Sequence, residues 1–339
     1  MQSEQSRYPQ QNSYPRQVGY DYEPQPKDEP PPGPFAPYNY TEPRQNYRAT
    51  ARRSRWRRPK YLWVFICMLV LLAVGGLING QLSSTSSSQP LAVHTAVVTG
   101  KSSLHVRNTH GYVHIHPGNT NTIVVTPTKH TPAVGAFADN LNVSYDQNGN
   151  DNTVHVDGSS ASFFFSSASI DLDISVPASS ALDIYNASGP IVLTNLSGQI
   201  SAETGSGDIQ ATHLQGSIAL KTGSGDIQTN TLNGTADIQS GSGNLMLQNA
   251  QLQGNSVLHT GSGNIHFNGG FATSGIYKLD SGSGDIELFV PADADLMLTT
   301  HTVSGNNIQN DFNTDSIGKS PQAPVAVITG SGAIHVHKQ

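Results

Sequence analysis

Two pairs of histidines are spaced for chemistry in this 339-residue chain. His114 and His116 flank Ile115, and His335 and His337 flank Val336. Alternate residues of a strand share a face. Each pair would therefore present two imidazoles side by side, the beginning of a transition-metal site. Leu104-His105-Val106-Arg107 alternates in the same way. It can pair with Tyr112-Val113-His114-Ile115-His116 as a hairpin through Asn108-Thr-His-Gly111. Leu104, Val106, Val113 and Ile115 would then face a core, and His105, Arg107, His114 and His116 would share the outer face. The plainer reading is that histidine fills polar positions on exposed strands, and no metal or other cofactor is assigned.

A longer series of oxygen-bearing side chains follows Gly-Ser-Gly. The tripeptide begins at Gly205, Gly223, Gly241, Gly261 and Gly282, and the next residues are Asp208, Asp226, Asn244, Asn264 and Asp285. A row of carboxylates suggests calcium, which needs several carboxylate or carbonyl oxygens. Two of the five are amides, the next outward residue is usually Gln, and the nine-residue calcium repeat is missing. Side chains that hydrogen-bond local backbone at turns explain the row better.

Hydrolytic chemistry finds little support. Gly-x-Ser-x-Gly does not occur in a strand–turn–helix setting. Glycoside hydrolysis needs carboxylates grouped on one face. Glu203 and Glu287 stand apart in the sequence, and Asp171 and Asp173 alternate outward as on a solvated strand. The expectation is a protein that is not an enzyme.

The elements that must carry these residues are strands. The first glycines of the five tripeptides are 18, 18, 20 and 21 residues apart. A period near 20 marks stacked coils, each touching only its neighbours. Within a unit, a strand after Gly-Ser-Gly is followed by a Leu-x-Gly turn and a second strand. Ile209, Ile227, Leu245, Ile265 and Ile286 form one inward column, and Leu220, Ile238, Leu258 and Leu279 another. The unit from Gly241 has two extra residues, placed between Leu247 and Leu252, which would preserve which side chains face inward. The fold class expected is all-β: a β-solenoid with two short strands per coil of about 18–21 residues. The N-terminal strands and residues 290–339 would cap its ends. Phe163-Phe164-Phe165 would cap an end or pack under a loop, with an exposed contact patch as the alternative.

Composition divides the rest. Residues 1–50 are rich in Pro and Gln, hold seven tyrosines from Tyr8 to Tyr47, and have few branched aliphatics. Such a segment cannot bury enough apolar surface to offset chain entropy, so a disordered tail over 1–60 is expected. The tail ends in six Lys/Arg within residues 51–60, and residues 61–78 carry no charge. A bilayer core takes about 20 residues of helix. The segment follows some sixty residues, unlike the short basic start of a signal peptide. The expectation is an uncleaved transmembrane helix over 61–80, with cleavage near Ala73, Gly75 and Gly76 as the alternative. A Ser-rich linker over 81–90 leads to the domain at 91–339.

Basic residues on the N-terminal side alone put the tail in the cytoplasm and the domain outside. Residues 1–60 hold eleven Lys/Arg and six Asp/Glu, and the remainder seven and eighteen. An acidic exterior argues against a nucleic-acid partner. Cys67, the single cysteine, lies inside the apolar span, so no intrachain disulfide can form.

Two ordered features carry a resemblance. One is the Thr/Ser-Gly-Ser-Gly-Asp-Ile coil with Leu-x-Gly between strands. The other is Val176-Pro177-Ala-Ser-Ser-Ala-Leu182-Asp-Ile184 leading to Ser188-Gly189-Pro-Ile191, with a second copy, Val290-Pro291-Ala-Asp-Ala-Asp-Leu296-Met-Leu298, leading to Ser304-Gly305. Together they resemble the bacterial adhesin-like domain family DUF4097, over roughly residues 91–339. The resemblance implies a β-solenoid or β-sandwich-like fold, often behind a membrane segment, with no established activity and no functional residues to transfer. The function expected is a membrane-anchored surface module, binding or structural, with an envelope polymer, carbohydrate or protein as partner. The alternatives are an envelope-sensing signalling protein and, less favoured, a carbohydrate-active β-helix enzyme.

Overall fold

The computed structural model describes residues 87–131, 141–157, 168–304 and 307–339. The tail at 1–60, the apolar span at 61–80 and Phe163–Phe165 lie outside them. Among the described residues there is no helix, and so none long and apolar enough to cross a membrane.

The repeats stack as parallel coils. Strands β10 (Ile191–Ser206), β11 (Ile209–Ser224) and β12 (Ile227–Ser242) are one coil each. They pair parallel and in register, Ile191 with Ile209 with Ile227, and Ile200 with Ile218 with Ala236. The two short strands expected per coil here run together through a bend. The bend is made by a column in the left-handed region, Asn195, His213 and Thr231, at φ 54°, 53° and 62°. The bend persists at Asn249, and a separate corner, following the column of Gly198, Gly216, Gly234 and Leu252, divides β13 (Leu245–Leu252) from β14 (Ser256–Ser262) and β15 (Ile265–Phe271) from β16 (Tyr277–Ser283).

The halves of the coils form two ladders that share one core. Ile209, Ile227, Leu245, Ile265 and Ile286 are fully buried, as are Leu220, Ile238, Leu258 and Leu279. Each such side chain stabilises by about 1.5–3 kcal/mol before ordering entropy is counted. The two extra residues of the unit from Gly241 are not between Leu247 and Leu252. The offset to β12 is still 18 at Gly234–Leu252 and becomes 20 at Asp237–Val257. The insertion therefore occupies the corner at 253–255. A corner has no inward and outward faces to preserve, so it absorbs extra residues at lower cost than a strand.

Corners after each Thr/Ser-Gly-Ser-Gly are held by two hydrogen-bond rows. The hydroxyls of Thr222, Ser240, Thr260 and Ser281 are buried and donate to the carbonyls of Gly207, Gly225, Gly243 and Gly263, one coil back, at 2.8–2.9 Å. On the outside, Oδ1 of Asp208, Asp226, Asn244 and Asn264 accepts the backbone N–H of the matching residue one coil on. The acceptor side chains thus reach the next coil rather than local backbone, and Asp and Asn interchange because both offer Oδ1. Close approach is also why the glycines are needed. A Cβ on Gly243 would overlap the carbonyl oxygen of Gly225, although the backbone of Gly243 is not in the left-handed region.

Both ends depart from sequential stacking. Strands β3 (Ser103–His110) and β4 (Val113–Pro117) do not pair with each other as a hairpin. β3 lies between β7 (Asp151–Asp157) and β9 (Ala181–Ser188), whereas β4 lies between β8 (Ser169–Val176) and β10. Gly111 stacks under Gly189 and Gly207 as a coil corner, so the two strands enter opposite ladders. At the other end, β21 (Ala323–Ser331) inserts between β16 and β18 (Leu296–Ser304). Likewise β22 (Ile334–Lys338) inserts between β17 (Ile286–Val290) and β19 (Ile308–Asn310). Gly330-Ser331-Gly332 is thereby a sixth copy of the corner, and Ala333 N–H donates to Asp285 at 2.7 Å. The C-terminal segment thus supplies an interior coil as well as the last one.

Antiparallel strands close the N-terminal end. β5 (Thr122–Thr131) runs antiparallel along β8, and its other side takes β1 (Ser87–Pro90) and β2 (His94–Val97). β1 begins inside the serine-rich segment, so the folded chain starts no later than Ser87.

Candidate functional site

The residue after each corner isoleucine or leucine points outward, and registered stacking lines these residues up. Val192, Gln210, Gln228, Met246, His266, Glu287 and His335 form one such row. Thr194, Thr212, Asn230 and Gln248 form the next. Two shallow grooves of about 310 and 230 Å³ follow these rows and share Gln228 and Met246. They make a strip from Gln210 to Glu287, with Gln210 to His266 spanning about 14 Å at the spacing of neighbouring strands. Amide side chains dominate it, each both donor and acceptor. Met246, 40% exposed, supplies an apolar contact near its centre. Asp226 and Asp285 lie along one edge, and Glu287 ends the strip. Their oxygens are partly committed: Asp226 and Asp285 accept backbone N–H groups, and Glu287 meets His266 Nδ1 at 3.1 Å. Glu287, isolated in the sequence, is therefore a paired residue.

The paired histidines separate into two different settings. His114 and His116 project from β4 with ring centroids 5.0 Å apart. Asp173 of β8 pairs with His114 in register, and its Oδ1 lies 2.8 Å from His114 Nδ1 and 3.5 Å from His116 Nε2. Asp171 is engaged too, accepting the N–H of Tyr112 at 2.8 Å and facing His130 Nε2 at 2.8 Å. These aspartates are thus more than a solvated strand face. Burial first, then the charges of Asp173 and Asp171, raise the Tyr112 phenol above its ordinary pKa. His335 and His337 meet edge to face at 6.0 Å, and His337 stacks on Phe289 at 4.5 Å. Asp311 Oδ2 lies 3.4 Å from His337 Nδ1, but among the described residues no carboxylate gathers with both rings.

His105 and Arg107 do not share a face with His114 and His116, because β3 and β4 belong to opposite ladders. His105 bridges Asp183 at 3.1 Å and Asp151 at 3.2 Å, and Arg107 also donates to Asp183. Burial would raise the Asp183 carboxyl, but the hydrogen bonds from Arg107 and His105 outweigh it and hold the group below its ordinary pKa.

The profile of the Toastrack DUF4097 family matches residues 96–229 and again residues 212–337. The chain belongs to this family. Two solved structures match the chain, each at 12% identity. A candidate cell adhesion protein from Clostridium sporogenes is covered over 100% of its length by 74% of this chain, with a TM-score of 0.27. A candidate adhesin from Bacteroides fragilis is covered over 98% by 75% of this chain, with a TM-score of 0.38. No curated protein matches the sequence.

In the Toastrack repeats the outward glutamines are visible in the sequence, and their assembly into one row follows from register. The Asp-Ile-Gln triplets at Gln210 and Gln228 were the available signal. Asp173 as a third partner for His114 and His116 had no such signal, since it depends on β8 lying beside β4.

Proposed function

We propose that the chain is a membrane-anchored, extracytoplasmic binding module that holds a polymer of the cell envelope against its amide-rich ladder. The observation that carries this reading is the strip from Gln210 to Glu287, in which two grooves meet at Gln228 and Met246. A shallow channel crossing several coils suits a linear ligand better than a compact one. Alternating donors and acceptors match a hydroxyl-rich chain, and an apolar contact in their midst matches the face of a sugar ring. A carbohydrate is therefore the favoured partner class. The basic run at 51–60 before the uncharged segment at 61–78 supports anchoring with the domain outside. The net acidic domain favours no nucleic acid. The role is binding rather than catalysis, because the carboxylates at the strip's edge and end already serve backbone N–H groups and a histidine.

A glycan array and isolated envelope fractions probed with the full chain test this reading. Retention on a carbohydrate polymer is expected, and no retention on any envelope fraction contradicts it. Deleting residues 1–50 addresses the sensing alternative. Binding survives the deletion on the present reading, whereas an envelope response that depends on the tail favours signalling.

A further inference from the structure

We propose that His114, His116 and Asp173 form a binding site for a borderline divalent transition ion of the Zn²⁺ or Cu²⁺ class. One donor atom from each of the three residues lies within 4.8 Å of the other two. Donors around a tetrahedral ion at about 2.0–2.2 Å are about 3.3–3.5 Å apart, so only small side-chain rotations are required. Two imidazoles and one carboxylate select such ions over calcium or magnesium, which prefer all-oxygen shells.

The hydrogen bonding of His116 is the second, independent argument. Its Nδ1 lies 3.1 Å from the carbonyl oxygen of Pro117, which can only accept, so Nδ1 carries a proton. In the neutral ring Nε2 is then a bare lone pair, and it faces Asp173 Oδ1 at 3.5 Å. That separation is the one expected between two ligands of a single tetrahedral ion. A backbone carbonyl that fixes one ring nitrogen and aims the other is also the usual outer support of a metal-binding histidine.

The frame is rigid. β4 is hydrogen-bonded along both edges, to β8 and β10, and its inward residues Val113 and Ile115 are fully buried. A ligand set on a central strand keeps its geometry. His114 and His116 side chains are 30% and 33% exposed and that of Asp173 56%, so an ion can enter from solvent and water can complete its shell. His335 and His337 lack a shared carboxylate and provide an internal control.

The test is calorimetric titration of the full chain, prepared without a polyhistidine tag, with ZnCl₂ and separately with CuCl₂. One equivalent should bind. Affinity should fall at least about tenfold in His114→Ala, His116→Ala and Asp173→Asn. It should be unchanged in the His335→Ala/His337→Ala double variant. Electron paramagnetic resonance of the copper form should show two coordinating nitrogens in the unaltered chain and one in each single histidine variant. Absence of saturable binding, equal affinity in His116→Ala, or fewer than two nitrogens in the unaltered chain would overturn the proposal. The last readout needs no variant to fold.

Discussion

Oδ1 of Asp208 accepts the backbone N–H of Asp226, its counterpart one coil on, at 2.9 Å. Asp226 repeats the gesture toward Asn244 at 2.7 Å. Each coil thus offers the next a hydrogen bond that needs an oxygen on a short side chain but no charge. Asp226→Asn should leave the melting temperature nearly unchanged. Asp226→Ala strands the Asn244 N–H without this acceptor and should cost about 0.5–1.5 kcal/mol in denaturant unfolding.

Glycine at the corner answers a distance requirement. Gly243→Ala drives a methyl group into the Gly225 carbonyl, and neither backbone can retreat without breaking register. A loss of about 3 kcal/mol or more is expected, at the upper end for overpacking. Gly270→Ala, whose nearest neighbour is the movable end of Gln251 at 2.7 Å, should cost much less. Equal losses for the two would refute the stacking explanation.

Thr231 is a β-branched residue at φ 62°, in a column that otherwise holds Asn195, His213 and Asn249. Left-handed backbone costs an ordinary L-residue about 1–2 kcal/mol, and asparagine tolerates it better. Thr231→Asn should therefore raise stability by about 0.5–1 kcal/mol, read as a higher denaturant midpoint at unchanged slope.

Asp183 gives stability a pH dependence. Its folded pKa lies below the unfolded value, so its contribution is complete above the unfolded pKa and is lost as pH falls through the folded one. The groups facing it are His105 and Arg107 of β3, Asp151 beyond His105, and Ser201 on β10, with Glu203 one outward position farther along beside Tyr185. The Asp183 side chain is 41% exposed, so the contribution is at most about 1 kcal/mol. Arg107→Ala should lower stability near neutral pH and make the acid decline shallower. An unchanged acid limb would contradict the assignment.

Much of this architecture was legible from period alone. The inward columns from Ile209 to Ile286 and from Leu220 to Leu279 are buried as the repeat required, because registered stacking converts equal spacing into contact. What spacing does not encode is adjacency between distant segments. Gly330-Ser331-Gly332 lies 48 residues past Gly282 yet stacks directly on it, since the coil at 296–310 is displaced outward. For the same reason β3 and β4 looked like a hairpin. Local alternation is identical in a hairpin and a coil, and only the pairing of His105 with Asp183 and of His114 with Asp173 tells them apart. The outward row was half visible, as the residues that follow Ile209, Ile227, Leu245 and Ile265, but the groove they line depends on the register of the coils.

Co-sedimentation of the full chain with purified envelope polysaccharide tests whether the Gln210–Glu287 strip holds an envelope polymer. The unaltered chain should pellet with the polymer. A Gln228→Ala/Met246→Ala variant should bind about tenfold more weakly, the loss of roughly one hydrogen bond and one apolar contact. A Lys221→Ala/Gln239→Ala variant on the opposite ladder should bind as the unaltered chain does. Equal pelleting of both variants, or none by the unaltered chain, would contradict the account.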